Sequence, residues 1–151
     1  KTLRFFMRRP AALAGFNQPV KGGSSFAFKV ALARFDPTNR ESQLLDDEEL
    51  AEFVEAFRRT GFTGPINWYR NFSRNWELAE GQPIRIDGVP CLMITAEKDA
   101  VLSPALAAGM PLSIGDLEMH MVAGSGHWTQ QEKPEEVNRL ILGWLDRRFP
   151  T

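Results

Sequence analysis

The chain has 151 residues, 18 of them basic and 19 acidic, for a formal charge of −1 at pH 7; this argues against a nucleic-acid binder or a polybasic membrane binder, which needs a net positive surface. Hydrophobic residues at 43% and charged residues at 25% are ordinary for a packed globular protein and exclude wholesale disorder. A single cysteine, Cys91, excludes an intramolecular disulfide framework and a multi-cysteine zinc site, and with only His120 and His127 no metal cluster is expected.

The first residues, Lys1-Thr2-Leu3-Arg4-Phe5-Phe6, lack the apolar core of a signal peptide, and no apolar run approaches the roughly 20 residues that span a bilayer. A cytoplasmic location is the expectation. Residues 1–16 read as a helix interrupted at Pro10, and Asn17 to Leu45 mostly as loop, with Phe26 to Phe35 as a short helix or strand. Asp46 followed three residues later by Glu49 has the capping-box arrangement. Leu50, Phe53, Val54 and Phe57 then recur at helical spacing, which predicts a helix that ends at Gly61. A second helix is predicted from Gly64-Pro65 to about Leu78, with Tyr69, Phe72 and Trp76 on one face.

Residues 81–88 form a junction, beyond which the pattern changes. Val89 to Thr95 is a short continuous apolar run of the kind a buried parallel strand shows. Ser103-Pro104 predicts a helix start, with Ser as N-cap and Pro at the first position. Leu117 to Val122 is a second strand and Gly124-Ser125-Gly126 a flexible turn. A last helix starts at Pro134-Glu135-Glu136, with an apolar face of Val137, Leu140, Ile141, Trp144 and Leu145. The class is α/β, in two parts: a helical segment over 1–82 and a β-α-β-α segment over 83–151. Two parallel strands do not make a stable sheet alone. The expectation is therefore that this chain is the C-terminal part of a larger, mostly parallel α/β protein.

Asp99 follows the carboxyl end of the first strand and His127 that of the second, where open α/β sheets build their sites. An acid followed 28 residues later by a histidine matches the last two members of the α/β-hydrolase order of nucleophile, acid, histidine. A carboxylate bonded to one ring nitrogen fixes the imidazole tautomer and supports the imidazolium formed when the other takes a proton. Taken alone, Asp99 also suits a turn or helix cap, and His127 a tight turn. Glu97 is an alternative acid, and His120, inside a strand pattern, is expected to be structural.

Three motifs in order carry a resemblance. Asn67-Trp68-Tyr69-Arg70-Asn71, Thr95-Ala96-Glu97-Lys98-Asp99 and Gly126-His127-Trp128-Thr129-Gln130, the last followed by Lys133 to Asn138, closely resemble the C-terminal half of soluble-type epoxide hydrolases of the α/β-hydrolase fold. Gly61 to Pro65 is similar to that family's approach to its second lid tyrosine. The likeness is strong over Leu45–Phe149 and weak over 1–44. It implies that 1–82 is helical cap, or lid, and 83–151 the end of the catalytic core.

In that family an aspartate opens the epoxide to an alkyl-enzyme ester, which a water activated by a His–Asp pair hydrolyses to a diol. The resemblance implies that His127 is the general base, Asp99 its orienting acid, and Tyr69, the only tyrosine, a hydrogen-bond donor to the epoxide oxygen. From periodicity alone Tyr69 reads as a packing residue between Trp68 and Phe72. Trp68, Phe72 and Trp128, with Phe53, Phe57 and Trp76, suggest an apolar surround for a lipophilic epoxide. The chemistry needs no cofactor, and a detoxifying role is implied.

The sequence lacks the family's Gly-x-Asp-x-Gly nucleophile elbow, its His-Gly-x-Pro oxyanion motif and the lid tyrosine that partners the one Tyr69 resembles. All three precede these motifs in the family's order, in an N-terminal half this chain would need as its partner. The 151 residues alone are therefore expected to be inactive. Two readings compete. One is another α/β-hydrolase, a haloalkane dehalogenase or an esterase or lactonase, which gives no reason for the Trp-Tyr-Arg-Asn run. The other is a non-catalytic relative that binds a ligand through its lid.

Overall fold

The computed structural model describes residues 1–9, 30–83 and 85–150. In chain order its elements are α1 (Thr2–Phe6), a helical turn at 30–34, α2 (Asp47–Thr60), α3 (Thr63–Arg70), α4 (Phe72–Ala79), β1 (Cys91–Ala96), a 3-10 turn (Pro104–Ala107), α5 (Met110–Ser113), β2 (Leu117–Val122), α6 (Thr129–Glu132) and α7 (Pro134–Arg148).

The two apolar runs pair as parallel strands, from Cys91 opposite Leu117 to Ala96 opposite Val122. A parallel pair requires a crossover, which the 3-10 turn and α5 supply. Ala96 and Val122, the last residues of the strands, are both buried, Val122 completely. The two carboxyl ends therefore meet at the core, and the loops that follow them leave from the same edge of the sheet. Helix α7 packs on both strands. Its Val137 is buried, and its C-terminal Arg147 bonds Glu118 Oε1 on β2 at 2.6 Å while Arg148 pairs with Asp116. His120 Nε2 lies 2.7 Å from the same Glu118 oxygen, so this histidine belongs to the network joining β2 to α7. The side chains Met119 and Met121, which alternate along β2, are exposed.

The chain divides into two units, Lys1–Leu44 with Arg85–Thr151, and Leu45–Ile84. In this division the first 44 residues group with 85–151 and not with the helices that follow them, whereas composition groups 1–82 as one helical segment. Polar contacts give the reason. The Trp128 indole N–H donates to Phe6 O at 2.8 Å, across 122 residues of chain.

The buried Arg8 guanidinium donates to Asn39 O and Glu41 O and lies 5.1 Å from the centroid of the Phe35 ring. Arg8 also bridges to Gln43, which draws the chain out of helix, so α1 stops at Phe6. The predicted break at Pro10 and the loop of residues 17–29 lie outside the described residues. The predicted segment at 26–35 contributes the helical turn at 30–34.

In the second unit the capping box at the start of α2 is present. Asp46 Oδ1 accepts from Glu49 N at 2.8 Å and Glu49 Oε2 from Asp46 N at 2.9 Å. Gly61, at φ +67, ends α2 in a backbone conformation that suits glycine, its N–H on Phe57 O. The single helix predicted to Leu78 is instead two, α3 and α4, divided at Asn71 with φ −86° and ψ −2°. Asn71 makes no side-chain cap bond, and its N–H still reaches back to Asn67 O at 3.1 Å, so the division is a local one in the backbone. Tyr69 and Phe72 remain neighbours across it, ring centroids 5.6 Å apart.

The helix predicted from Ser103 is a 3-10 turn, and Ser103 makes no side-chain cap bond. Pro111, with no N–H to donate, prevents one helix from running through, and α5 starts afresh around it.

Asp46→Ala removes one arm of the capping box. The expected outcome is a loss of about 1 kcal/mol in the stability of α2, read as faster amide hydrogen exchange at Glu49 and Leu50 with β1 and β2 unchanged.

Candidate active site

The loops leaving the carboxyl ends of β1 and β2 bring Asp99 and His127 together. His127 Nδ1 lies 3.0 Å from Asp99 Oδ2 and 3.2 Å from Oδ1. The Asp99 side chain is 8% exposed and that of His127 31%, so the acid is enclosed while the ring reaches solvent. Asp99 Oδ1 also accepts from the backbone N–H groups of Val101 and Leu102, at 2.8 and 2.9 Å. Burial by itself pushes the Asp99 carboxyl up. The Leu102 and Val101 N–H groups, with the His127 ring, outweigh it and hold the carboxyl below its ordinary value of 3.8. An ionised carboxylate only accepts hydrogen bonds, so the proton between the two residues sits on His127 Nδ1, and Nε2 is the nitrogen able to accept another.

Glu97, the other acid considered, faces elsewhere. Its Oε2 accepts from Gly124 N at 2.7 Å. The glycine turn expected to be flexible is instead tied down: Lys98 N donates to Ser125 O at 2.8 Å, Ser125 is fully buried, and Gly124 adopts φ +68°. From beyond His127, Thr129 and Glu132 of α6 reach back to Gly126: Thr129 Oγ1 donates to Gly126 O, and Glu132 Oε2 accepts from Gly126 N. The sequence reading missed these supports. Their one signal was Thr129 and Glu132 three residues apart just beyond the histidine, the spacing that aligns side chains on one helical face.

Trp128 stacks edge-on to the His127 ring, centroids 5.5 Å apart, with its indole N–H committed to Phe6 O. Trp68, Tyr69 and Phe72 lie in the other unit, on α3 and at the start of α4, and are 75%, 72% and 62% exposed. Beside them a groove of about 290 Å³ is lined by Gly64, Asn67, Trp68, Asn71 and Asn75; neither Asp99 nor His127 forms its walls. Among the described residues, no group of three or more His, Cys, Asp or Glu could hold a metal ion, and no helix is long and apolar enough to cross a membrane.

No protein-family model matches the chain. The mouse (Mus musculus) bifunctional epoxide hydrolase 2 is 44% identical over 104 residues, which is 69% of this chain and 19% of that protein. Epoxide hydrolase A of Mycobacterium tuberculosis is 39% identical over 102 residues, 67% of this chain and 32% of that one. Among solved structures, epoxide hydrolase A from Mycobacterium thermoresistibile matches with a TM-score of 0.74 at 31% identity, over 95% of this chain and 44% of that chain. The chain is a relative of the soluble-type epoxide hydrolases.

A potato epoxide hydrolase gives the same picture, with a TM-score of 0.70 at 28% identity over 97% of this chain and 46% of that one. The fold is accordingly a portion of the α/β-hydrolase fold. This epoxide hydrolase relative spans about a fifth to a third of the length of these curated proteins and under half of the solved chains.

The folded Asp99 titrates below its unfolded value, so it adds stability that is fully present above pH 3.8 and is lost as pH falls through the depressed folded value. Thermal melts of this epoxide hydrolase relative from neutral to strongly acid pH are expected to show that loss. Asp99→Asn should flatten the acid limb relative to the unsubstituted chain.

Proposed function

We propose that these residues form the cap and the base-bearing end of an epoxide hydrolase that converts a lipophilic epoxide to a vicinal diol. The observation that carries the reading is the His127–Asp99 pair, formed at adjacent strand ends in a chain whose relatives are named epoxide hydrolases. Residues 45–84 would then be lid, and 85–151 with the N-terminal segment the core side of the site. The exposed Met119 and Met121 on β2 support further chain covering that sheet face.

The chemistry runs in two halves. A carboxylate nucleophile, supplied by a segment outside these 151 residues, attacks an epoxide carbon, the C–O bond breaks, and the ring oxygen becomes an alkoxide. Tyr69 donates a hydrogen bond to that oxygen as charge develops, the interaction a phenol O–H offers a nascent alkoxide. His127 Nε2 then removes a proton from water, the resulting hydroxide attacks the ester carbonyl, the ester C–O bond breaks to restore the carboxylate, and the proton held on His127 passes to the alkoxide so that a neutral diol leaves and the base is regenerated. Asp99 holds the ring in the tautomer this requires and stabilises the imidazolium. Trp68, Phe72 and Trp128 supply apolar walls.

In a protein that joins these residues to the nucleophile-bearing segment, Tyr69→Phe should lower the rate of diol formation by roughly a hundredfold, the scale for losing one preorganised donor to a developing oxyanion. The 151 residues alone should form no diol. Activity in the isolated chain, or an unchanged rate in the Phe variant, would contradict the scheme.

A further inference from the structure

Two side chains that the proposed reaction leaves unused enclose the residue before the base. Thr129 Oγ1 donates to Gly126 O at 2.7 Å, and Glu132 Oε2 accepts from Gly126 N at 3.0 Å. Between them, one turn of α6 takes up both backbone polar groups of Gly126, which is buried. The carbonyl that Thr129 holds belongs to the peptide that leads into His127. On the other side of the base, the Trp128 indole is anchored to Phe6 O, and Trp128 O accepts from Gln131 and Glu132 N–H. The backbone on both sides of His127 is therefore fixed.

Glu132 is an expensive way to make this contact if only folding were served. Its Oε1 is buried with no hydrogen-bond partner among the described residues, and an unpartnered buried carboxylate oxygen is destabilising. What the carboxylate provides is a charge-assisted acceptor, stronger and more directional than a neutral one, on the peptide next to the base.

We propose that Glu132, with Thr129, is a positioning pair that sets the His127 ring at bonding distance from Asp99. The consequence for catalysis rests on the reading of His127 as the base; the consequence for the His127–Asp99 bond does not. Removing the pair lets the turn relax, lengthens the Nδ1–carboxylate contact and frees the ring to rotate.

The test uses the two histidines of the chain against each other. In the 151-residue chain labelled with ¹⁵N-histidine, the His127 Nδ1 proton bonded to the enclosed Asp99 should give a slowly exchanging low-field signal, and the more exposed His120 ring beside Glu118 a second, faster-exchanging signal that serves as the internal reference. In Glu132→Leu, and in the milder Thr129→Val, the His127 proton should exchange at least roughly tenfold faster, the scale of a lost charge-assisted hydrogen bond, while the His120 signal stays as it was. Glu132→Gln keeps an oxygen for Gly126 N–H and should restore the protection.

An unchanged His127 proton in both variants overturns the proposal, as does its absence from the unsubstituted chain or the failure of Glu132→Gln to rescue. Collapse of both histidine signals together also overturns it, since the pair would then serve the fold alone. In the protein that carries the nucleophile, Glu132→Leu should lower kcat with KM unchanged. If that protein forms no diol at all while the exchange differences persist, the epoxide hydrolase reading fails and the positioning role stands.

Discussion

The interaction on which everything else depends is the hydrogen bond between Asp99 and His127. A carboxylate that is nearly enclosed must be well satisfied to remain ionised, and this one is, by two backbone N–H groups and an imidazole. Its ionised state in turn decides the tautomer of His127 and leaves Nε2 as the nitrogen able to accept a further proton. The parallel pairing of β1 and β2 makes the contact possible, because parallel strands end on the same side and their following loops are neighbours. The buried Ala96 and Val122 fix where those loops begin.

Around that bond the chain spends much of its local polar capacity on the histidine turn. Glu97 reaches from the acid's loop to Gly124, Lys98 N reaches Ser125 O, and α6 closes on Gly126. A hydrogen bond between two side chains on separate loops depends on where both loops sit, and a glycine-rich turn has no rigidity of its own. The side chains supply it. The aromatic residues of the second unit are under a different constraint: Trp68, Tyr69 and Phe72 are largely exposed, as groups available to a ligand or to further chain would be.

Elements with local signals were legible in the sequence. The capping box, the Gly61 stop, the two apolar strands and the proline at the start of α7 each have a cause within a few residues, and each appears where the pattern puts it. The break at Asn71 and the 3-10 turn after Ser103 are not legible because periodicity runs through both, while each turns on the local backbone over a few residues. The grouping of residues 1–44 with 85–151 depends on Trp128 reaching Phe6, a contact across the whole chain that no local pattern reports. The proximity of Asp99 and His127 was legible because chain order and strand ends imply it. Spacing alone left Glu97 open beside Asp99, which the family resemblance favours, since both lie on one loop; in the fold Asp99 faces the ring and Glu97 bonds Gly124.

Intact-mass spectrometry of the His127→Gln variant, in a protein that carries the nucleophile-bearing segment, tests the account most directly. Without the base, ester formation proceeds and ester hydrolysis stops. The account predicts a stable gain in mass equal to that of the added epoxide, since ring opening has no leaving group, and no diol. Diol formation at the unsubstituted rate with no mass gain would contradict it.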